Sequence, residues 1–148
     1  MVRIAITKGR IEKEICKMLE VAGFDTKKIE NKDRELLVKT PEGIEMMFTK
    51  ANDVMTFIEN GICDLGIVGK DVLDESSFTD YDELLDLNVG KCYFALAGFP
   101  EYRKNKGKTR IATKYPNITK KYFFSKQEDI EIIKMEGSVE LRTSMRNE

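Results

Sequence analysis

The amino-acid sequence predicts an α/β fold with a largely parallel sheet. Short apolar runs alternate with segments whose apolar residues recur at helical spacing. One run, Leu65-Gly66-Ile67-Val68, carries no polar residue, the pattern of a strand buried on both faces. A composition of 41% hydrophobic and 34% charged residues suits a folded chain rather than a disordered one.

The elements follow in order. Val2 to Ile6, interrupted by Arg3, is expected as the first strand. Thr7-Lys8-Gly9-Arg10 makes a tight loop, and Ile11, Ile15, Met18, Leu19 and Ala22 then share one helical face until Gly23 stops the helix. Leu36-Leu37-Val38 and Ile44 to Phe48 flank Thr40-Pro41-Glu42-Gly43, a hairpin signal. A second helix starts near Asn52, buries Val54, Phe57 and Ile58, and stops at Gly61. The strand Leu65 to Val68 leads into a short helical turn at Val72 and Leu73, and Leu84, Leu85 and Leu87 form a further apolar cluster. Beyond a change near Val89 to Lys91, Tyr93 to Ala97 is expected as a strand, Arg103 to Lys108 as an exposed basic loop, and Arg110 to Thr113 as another strand. Pro116 suits the first position of a helix running through Tyr122 and Phe123, because its missing N–H would be unpaired there anyway. Ile130 to Ile133 is the last strand, and Glu136-Gly137-Ser138-Val139-Glu140 a loop entering a helix.

A chain of 148 residues suits one domain of ordinary size or two small lobes. It has no run of about 18 apolar residues, which excludes a membrane-spanning helix. Met1 to Ile6 leads directly into charged sequence without a secretory pattern, so a cytoplasmic chain is expected. The absence of histidine excludes an imidazole base, a Ser-His-Asp triad and a His-ligated metal. Cys16, Cys63 and Cys92 are odd in number and far apart; they read as buried thiols rather than metal ligands. Charge is uneven: residues 101–126 hold nine Lys or Arg against one acid, whereas residues 1–100 hold thirteen against nineteen. A basic block of that kind attracts anions or simply solvates a surface. The stretch Arg103 to Lys108 has one aromatic neighbour, Tyr102, and no nucleic-acid motif, so no nucleic-acid partner is expected.

Thr7 to Arg10, Thr113 to Asn117 and Glu136 to Glu140 each connect a strand to a helix. In open α/β sheets ligands gather at the carboxyl ends of strands, where helix N-termini offer free N–H groups to phosphate. Lys8 and Arg10 flank Gly9, which lets backbone approach a ligand; a solvated turn is the competing reading. Gly137-Ser138 reads as an anion loop or a helix cap, and Lys50 as a strand-end cation or an ordinary surface lysine. Asp64 either caps a turn or accepts hydrogen bonds from a sugar or base. Glu136 and Glu140, four apart, share a helical face as metal or ribose contacts or as solvated acids.

Taken together, these segments resemble the catalytic subunit of ATP phosphoribosyltransferase in its short form. The resemblance rests on Thr7-Lys8-Gly9-Arg10, Asn52-Asp53-Val54, Asn60 to Leu73, Leu84-Leu85-Asp86-Leu87 with Gly90-Lys91-Cys92, Arg110 to Thr119 and Gly137-Ser138-Val139-Glu140-Leu141. It implies two α/β lobes, residues 1–90 and an incomplete 91–148, similar to type II periplasmic binding proteins, with mostly parallel sheets, helices on both faces and the active site in the cleft. It implies the first step of histidine biosynthesis: N1 of ATP attacks C1 of phosphoribosyl pyrophosphate, with Mg²⁺, giving phosphoribosyl-ATP and pyrophosphate. A regulatory subunit resembling histidyl-tRNA synthetase and an oligomeric assembly are implied as well. By the same resemblance Lys8, Gly9 and Arg10 face substrate phosphates or the nucleotide, and Arg34 and Lys50 match basic positions near the ATP site. Family members commonly carry Arg where Lys50 stands. Asp64 and Gly66 line the cleft on the first lobe; Thr113, Lys114, Gly137, Ser138 and Glu140 line it on the second.

The likeness runs to about residue 141, and Arg142 to Glu148 departs from the family pattern. A Thr-Gly loop that holds the 5-phosphate of phosphoribosyl pyrophosphate follows that point in the family. A truncated chain, weakly active or inactive alone, is therefore expected, with a non-catalytic nucleotide-binding or subunit-docking protein as the alternative.

Overall fold

The computed structural model describes residues 1–31, 35–98 and 108–137. The chain divides into two compact units, Met1–Cys92 and Tyr93–Glu148.

The first unit is built on four strands and four helices: β1 (Arg3–Thr7), α1 (Arg10–Val21), α2 (Lys27–Glu30), β2 (Leu37–Lys39), β3 (Glu45–Thr49), α3 (Ala51–Glu59), β4 (Leu65–Ile67) and α4 (Lys70–Glu75). The strands lie in the order β2-β3-β1-β4. β1 is parallel to β3, with Arg3 opposite Glu45 and Thr7 opposite Thr49, and parallel to β4, with Ile4 opposite Leu65. β2 is antiparallel to β3 through the expected hairpin, where the Gly43 N–H donates to Thr40 O at 3.0 Å. Successive strand residues face opposite sides, and the core divides accordingly. Ile6, Met46 and Phe48 pack with Ile15 and Cys16 of α1 and Ile29 of α2 on one face. Ala5 packs with Val54 of α3 and Cys63 on the other, joined by Met47. Helices thus cover both faces of a mostly parallel sheet.

Both long helices of this unit end where glycine predicts. The Phe24 N–H reaches back to Leu19 O and that of Gly23 to Glu20 O, both at 2.9 Å; at the end of α3, Ile62 donates to Phe57 O and Gly61 to Ile58 O. This paired pattern requires a left-handed residue after the helix, and Gly23 (φ +91°) and Gly61 (φ +64°) supply it at no steric cost.

The second unit contains a β-α-β crossover: β5 (Thr109–Thr113), α5 (Pro116–Ser125) and β6 (Ile130–Lys134). β5 and β6 are parallel, with Thr109 opposite Ile130 and Thr113 opposite Lys134. Pro116 opens α5 as expected, and Phe123 is its buried anchor. Among the described residues, no helix is long and apolar enough to cross a membrane.

Several expectations need correction. Among the described residues β4 is an edge strand; Ile67 and Val68 pack, only partly buried, against the two core faces, and Leu65 is 38% exposed, so the run is not fully buried as expected. Leu84 and Leu85 are exposed; only Leu87 of that cluster packs, against the α1 face of the core. Tyr93 to Ala97 forms no strand, and Tyr93 and Leu96 are exposed. An apolar run becomes a strand only when a neighbour completes its hydrogen bonds, and β5 and β6 pair with each other instead. Cys16 and Cys63 are buried thiols, but Cys92 is exposed. Arg34, most of the Arg103 to Lys108 loop, Ser138 and Glu140 lie outside the described residues.

Candidate anion-binding site at the strand ends

Because β1, β3 and β4 are parallel, their carboxyl ends share one edge of the sheet. A helix begins at each: α1 after Gly9, α3 after Lys50 and α4 after Gly69. None of these three N-cap residues makes a side-chain capping bond. The Glu12 N–H donates to Gly9 O at 3.1 Å and that of Asp53 to Lys50 O at 3.0 Å; the first two N–H groups of each helix have no intrahelical acceptor, so α1 and α3 direct those donors and the positive ends of their dipoles along the edge.

The loop between β1 and α1 is tied down from both sides. The Lys8 N–H donates to Thr49 O at 2.9 Å, and the Thr7 hydroxyl donates to Ile67 O at 3.2 Å. Gly9 has φ +111° and ψ −136°, a conformation open only to glycine, and its N–H meets the Glu12 carboxylate at a long 3.4 Å. A side chain at position 9 would touch nothing within 4 Å, so backbone conformation rather than crowding requires the glycine. At the end of β3 the Thr49 hydroxyl donates to Asp53 Oδ2 at 3.2 Å, steadying the first turn of α3.

Lys8, Arg10 and Lys50 are exposed. Among the described residues no ion pair or side-chain hydrogen bond engages their charged groups. Thr7 and Thr49 are in register, so the chain carrying Lys8 and the chain carrying Lys50 leave the sheet about 5 Å apart, the spacing of neighbouring strands. Lys70, on the same edge, differs: its ammonium meets both oxygens of Glu83, at 2.5 and 2.6 Å, and that partner raises its pKa. Sequence places Thr7 in this loop, but the position of Thr49 and Lys70 on the same edge follows only from strand register.

Asp64 and Gly66 stand apart from this group. Asp64 precedes β4, at the opposite edge of the sheet, and its Oδ2 accepts the Arg3 N–H at 2.8 Å. That bond ties the start of β4 to the start of β1. Gly66 lies within β4 under α3, where an added Cβ would come 2.8 Å from Val54 Cγ1. Its smallness serves helix–strand packing.

In the second unit Thr113 ends β5, Lys114 follows it, and Gly137 follows β6, at the same edge of the parallel pair. The Met135 N–H donates to Thr113 O at 2.9 Å and holds the two loops together. The Thr113 hydroxyl accepts the Tyr115 N–H at 3.0 Å and donates to the Thr119 hydroxyl at 3.1 Å, whose own proton goes to Tyr115 O at 2.7 Å, which shapes the entry to α5. Lys114 and Gly137 are exposed. Glu136 pairs with Lys134 at 3.3 Å. Among the described residues no group of three or more acids and cysteines is placed to hold a metal ion; the strand ends offer cations and N–H groups, which suit the anionic part of a metal-bearing ligand.

A family model, ATP phosphoribosyltransferase (HisG), matches residues 50–146. The chain is 59% identical over 143 residues to the ATP phosphoribosyltransferase of Lactococcus lactis subsp. cremoris, covering 95% of this chain and 69% of that protein. It is 49% identical to the ATP phosphoribosyltransferase of Bacillus cereus, covering 95% and 67%. Among solved structures it is similar to an ATP phosphoribosyl transferase (HisG:HisZ) complex from Thermotoga maritima, with TM-score 0.66 and 29% identity over 97% of this chain and 69% of that one.

Proposed function

The chain belongs to the ATP phosphoribosyltransferase family, and from that premise we propose that its strand-end loops bind the phosphates of ATP and phosphoribosyl pyrophosphate for the first step of histidine biosynthesis. In that reaction N1 of the adenine attacks C1 of phosphoribosyl pyrophosphate, and pyrophosphate leaves. Its α/β fold, of the type II periplasmic-binding-protein kind, gives the ligands strand ends to occupy.

The observation that carries the reading is the trio Lys8, Arg10 and Lys50. Three exposed cations stand beside the uncapped starts of α1 and α3, on in-register strand ends. A triphosphate there would accept hydrogen bonds from first-turn N–H groups and charge from all three side chains. Arg10 alone of the three offers a fork to two phosphate oxygens; Lys50 acts as a point charge. In the second unit, Lys114 and the Gly137 loop would meet the phosphoribosyl substrate, with Thr113 shaping the loop; Ser138 and Glu140 continue the proposed contact set. Arg34 joins the ATP side on resemblance alone. Asp64 and Gly66 support the scaffold.

The chemistry needs no imidazole. Pyrophosphate is a good leaving group once neutralised, and substitution at an anomeric carbon depends on alignment and charge stabilisation. Mg²⁺ would arrive bound to the polyphosphate, since the described strand ends supply no oxygen cage for it. A regulatory partner subunit, similar to histidyl-tRNA synthetase, and an oligomeric assembly are proposed from the two-protein complex in which the Thermotoga relative was solved. The setting is the cytoplasm, where ATP is abundant.

Titration calorimetry with ATP tests the reading. Arg10→Ala is expected to weaken binding about tenfold, the loss of roughly 1.5 kcal/mol for a charge-assisted hydrogen bond, with the melting temperature unchanged. Equal affinity in wild type and Lys8→Ala/Arg10→Ala would exclude this edge as the nucleotide site. Formation of phosphoribosyl-ATP on adding phosphoribosyl pyrophosphate, Mg²⁺ and the regulatory subunit separates catalysis from simple nucleotide binding.

A further inference from the structure

From the end of α4 the chain runs without regular structure through residues 76–90. Two anchors hold this segment. At one, Glu83 grips the ammonium of Lys70, the first residue of α4, with Asp74 4.0 Å away. At the other, Leu87 and Val89 pack against the core face that contains Ile15 and Cys16 of α1. Gly90 (φ +63°) comes so close to Ile11 that an added Cβ would stand 2.7 Å from its Cγ2. Between the anchors, the Asn88 N–H donates to Asp86 Oδ1 at 2.8 Å and turns the chain. Lys70 follows β4 and Ile11 follows β1, and β4 and β1 are neighbours. The segment therefore bridges the starts of α4 and α1, and its far end rests on the residue next to Arg10.

We infer that Lys70 is a positioning residue: by holding Glu83 it braces residues 83–90 against Ile11, and so keeps the Gly9–Arg10 turn in the geometry that receives phosphate. This deepens the nucleotide reading of that edge and rests on it. Lys70 is unlike Lys8, Arg10 and Lys50 in having its charge already committed to a carboxylate. It acts on the site through the chain rather than through the ligand. The pair is exposed and bidentate, which places its effect at the upper end of what surface ion pairs deliver. Segment 76–90 has no helical or sheet ladder of its own, so its tertiary anchors carry its position, and loss of one is felt at the other.

The test compares Lys70→Met, Glu83→Gln, Lys70→Arg and the charge swap Lys70→Glu/Glu83→Lys in the same chain. Hydrogen exchange is read at the Glu12 amide, which donates to Gly9 O, and at the second-turn amides of α1, with α5 as an internal control, and ATP affinity is read by calorimetry. Lys70→Met and Glu83→Gln are each expected to speed exchange at the start of α1 two- to fivefold and to weaken ATP binding by the same factor, with α5 unchanged. Lys70→Arg and the swap restore both. Added salt should bring the wild type toward Lys70→Met, because exposed pairs are screened. Unchanged α1 exchange in both single variants overturns the brace, as does a swap that restores nothing. Faster exchange with unaltered ATP affinity overturns its coupling to the ligand. A wild-type chain that binds no ATP defeats the nucleotide reading instead, while the exchange measurement still decides the brace.

Discussion

The missing side chain of Gly66 sets the distance between α3 and β4. A Cβ there would meet Val54 Cγ1 at 2.8 Å and Ile58 Cγ1 at 3.3 Å, and Val54 is fully buried with no room to retreat. Gly66→Ala is expected to cost about 1–3 kcal/mol, the range for overpacking a well-filled core; chemical denaturation would show it as a lower midpoint at unchanged slope. The cysteines make a second residue-scale case. Burial pushes the Cys63 thiol up, against the pull of Arg3, whereas Cys92 stands in solvent. A thiol reagent at neutral pH should modify Cys92 at once and reach Cys16 and Cys63 only after unfolding. Fast labelling of all three in the native chain would contradict the packing. A raised thiol pKa favours the folded state fully below the ordinary thiol value of about 8.5. That contribution fades as pH rises through the folded value. Stability should therefore decline on the alkaline side, less steeply in Cys63→Ala.

At the scale of elements, the three longest helices end in the same hydrogen-bonded pattern, but only two end on glycine. After α5 the Glu128 N–H returns to Phe123 O and that of Gln127 to Phe124 O, each at 3.0 Å. Gln127 must adopt φ +55° to allow it. A non-glycine residue pays roughly 1 kcal/mol for that conformation, so Gln127→Gly should raise the stability of the second unit by about that amount in thermal melts. No gain would mean that the glutamine side chain offsets the strain. The ends of α1 and α3 were legible because Gly23 and Gly61 announce them; the end of α5 was not, because nothing about a glutamine signals a left-handed turn. Helix starts show the same division. Pro116 marks α5 from sequence, while the starts of α1 and α3 matter through the absence of caps at Gly9 and Lys50, which draws attention only once both lie on one sheet edge.

Across the whole molecule, exposed apolar side chains accumulate outside the covered sheet faces. Tyr93, Leu96 and Phe124 of the second unit and Leu84 and Leu85 of the first are all more than two-thirds exposed. Apolar surface left in water favours association. The chain should show a mass above that of the monomer in light scattering as concentration rises; a strict monomer up to high concentration would mean these groups are too scattered to form an interface. The relatives are longer, with this chain spanning about two thirds of their length.

Local rules were enough for much of this. Alternating apolar runs, glycine stops and one proline place most strands and helices within two residues of where they stand, because each depends on neighbours a few positions away. The family likeness is legible in the same way, as is the promise of Lys8-Gly9-Arg10. Partnership is another matter. That Asp64 serves the Arg3 backbone, that Lys8 and Lys50 leave the sheet side by side, that Tyr93 to Ala97 finds no strand to join and that Lys70 is already held by Glu83 all turn on residues brought together from distant parts of the chain. Spacing along a chain carries no register between strands forty or sixty residues apart, so only the packed sheet could decide which charges stand free to meet a phosphate.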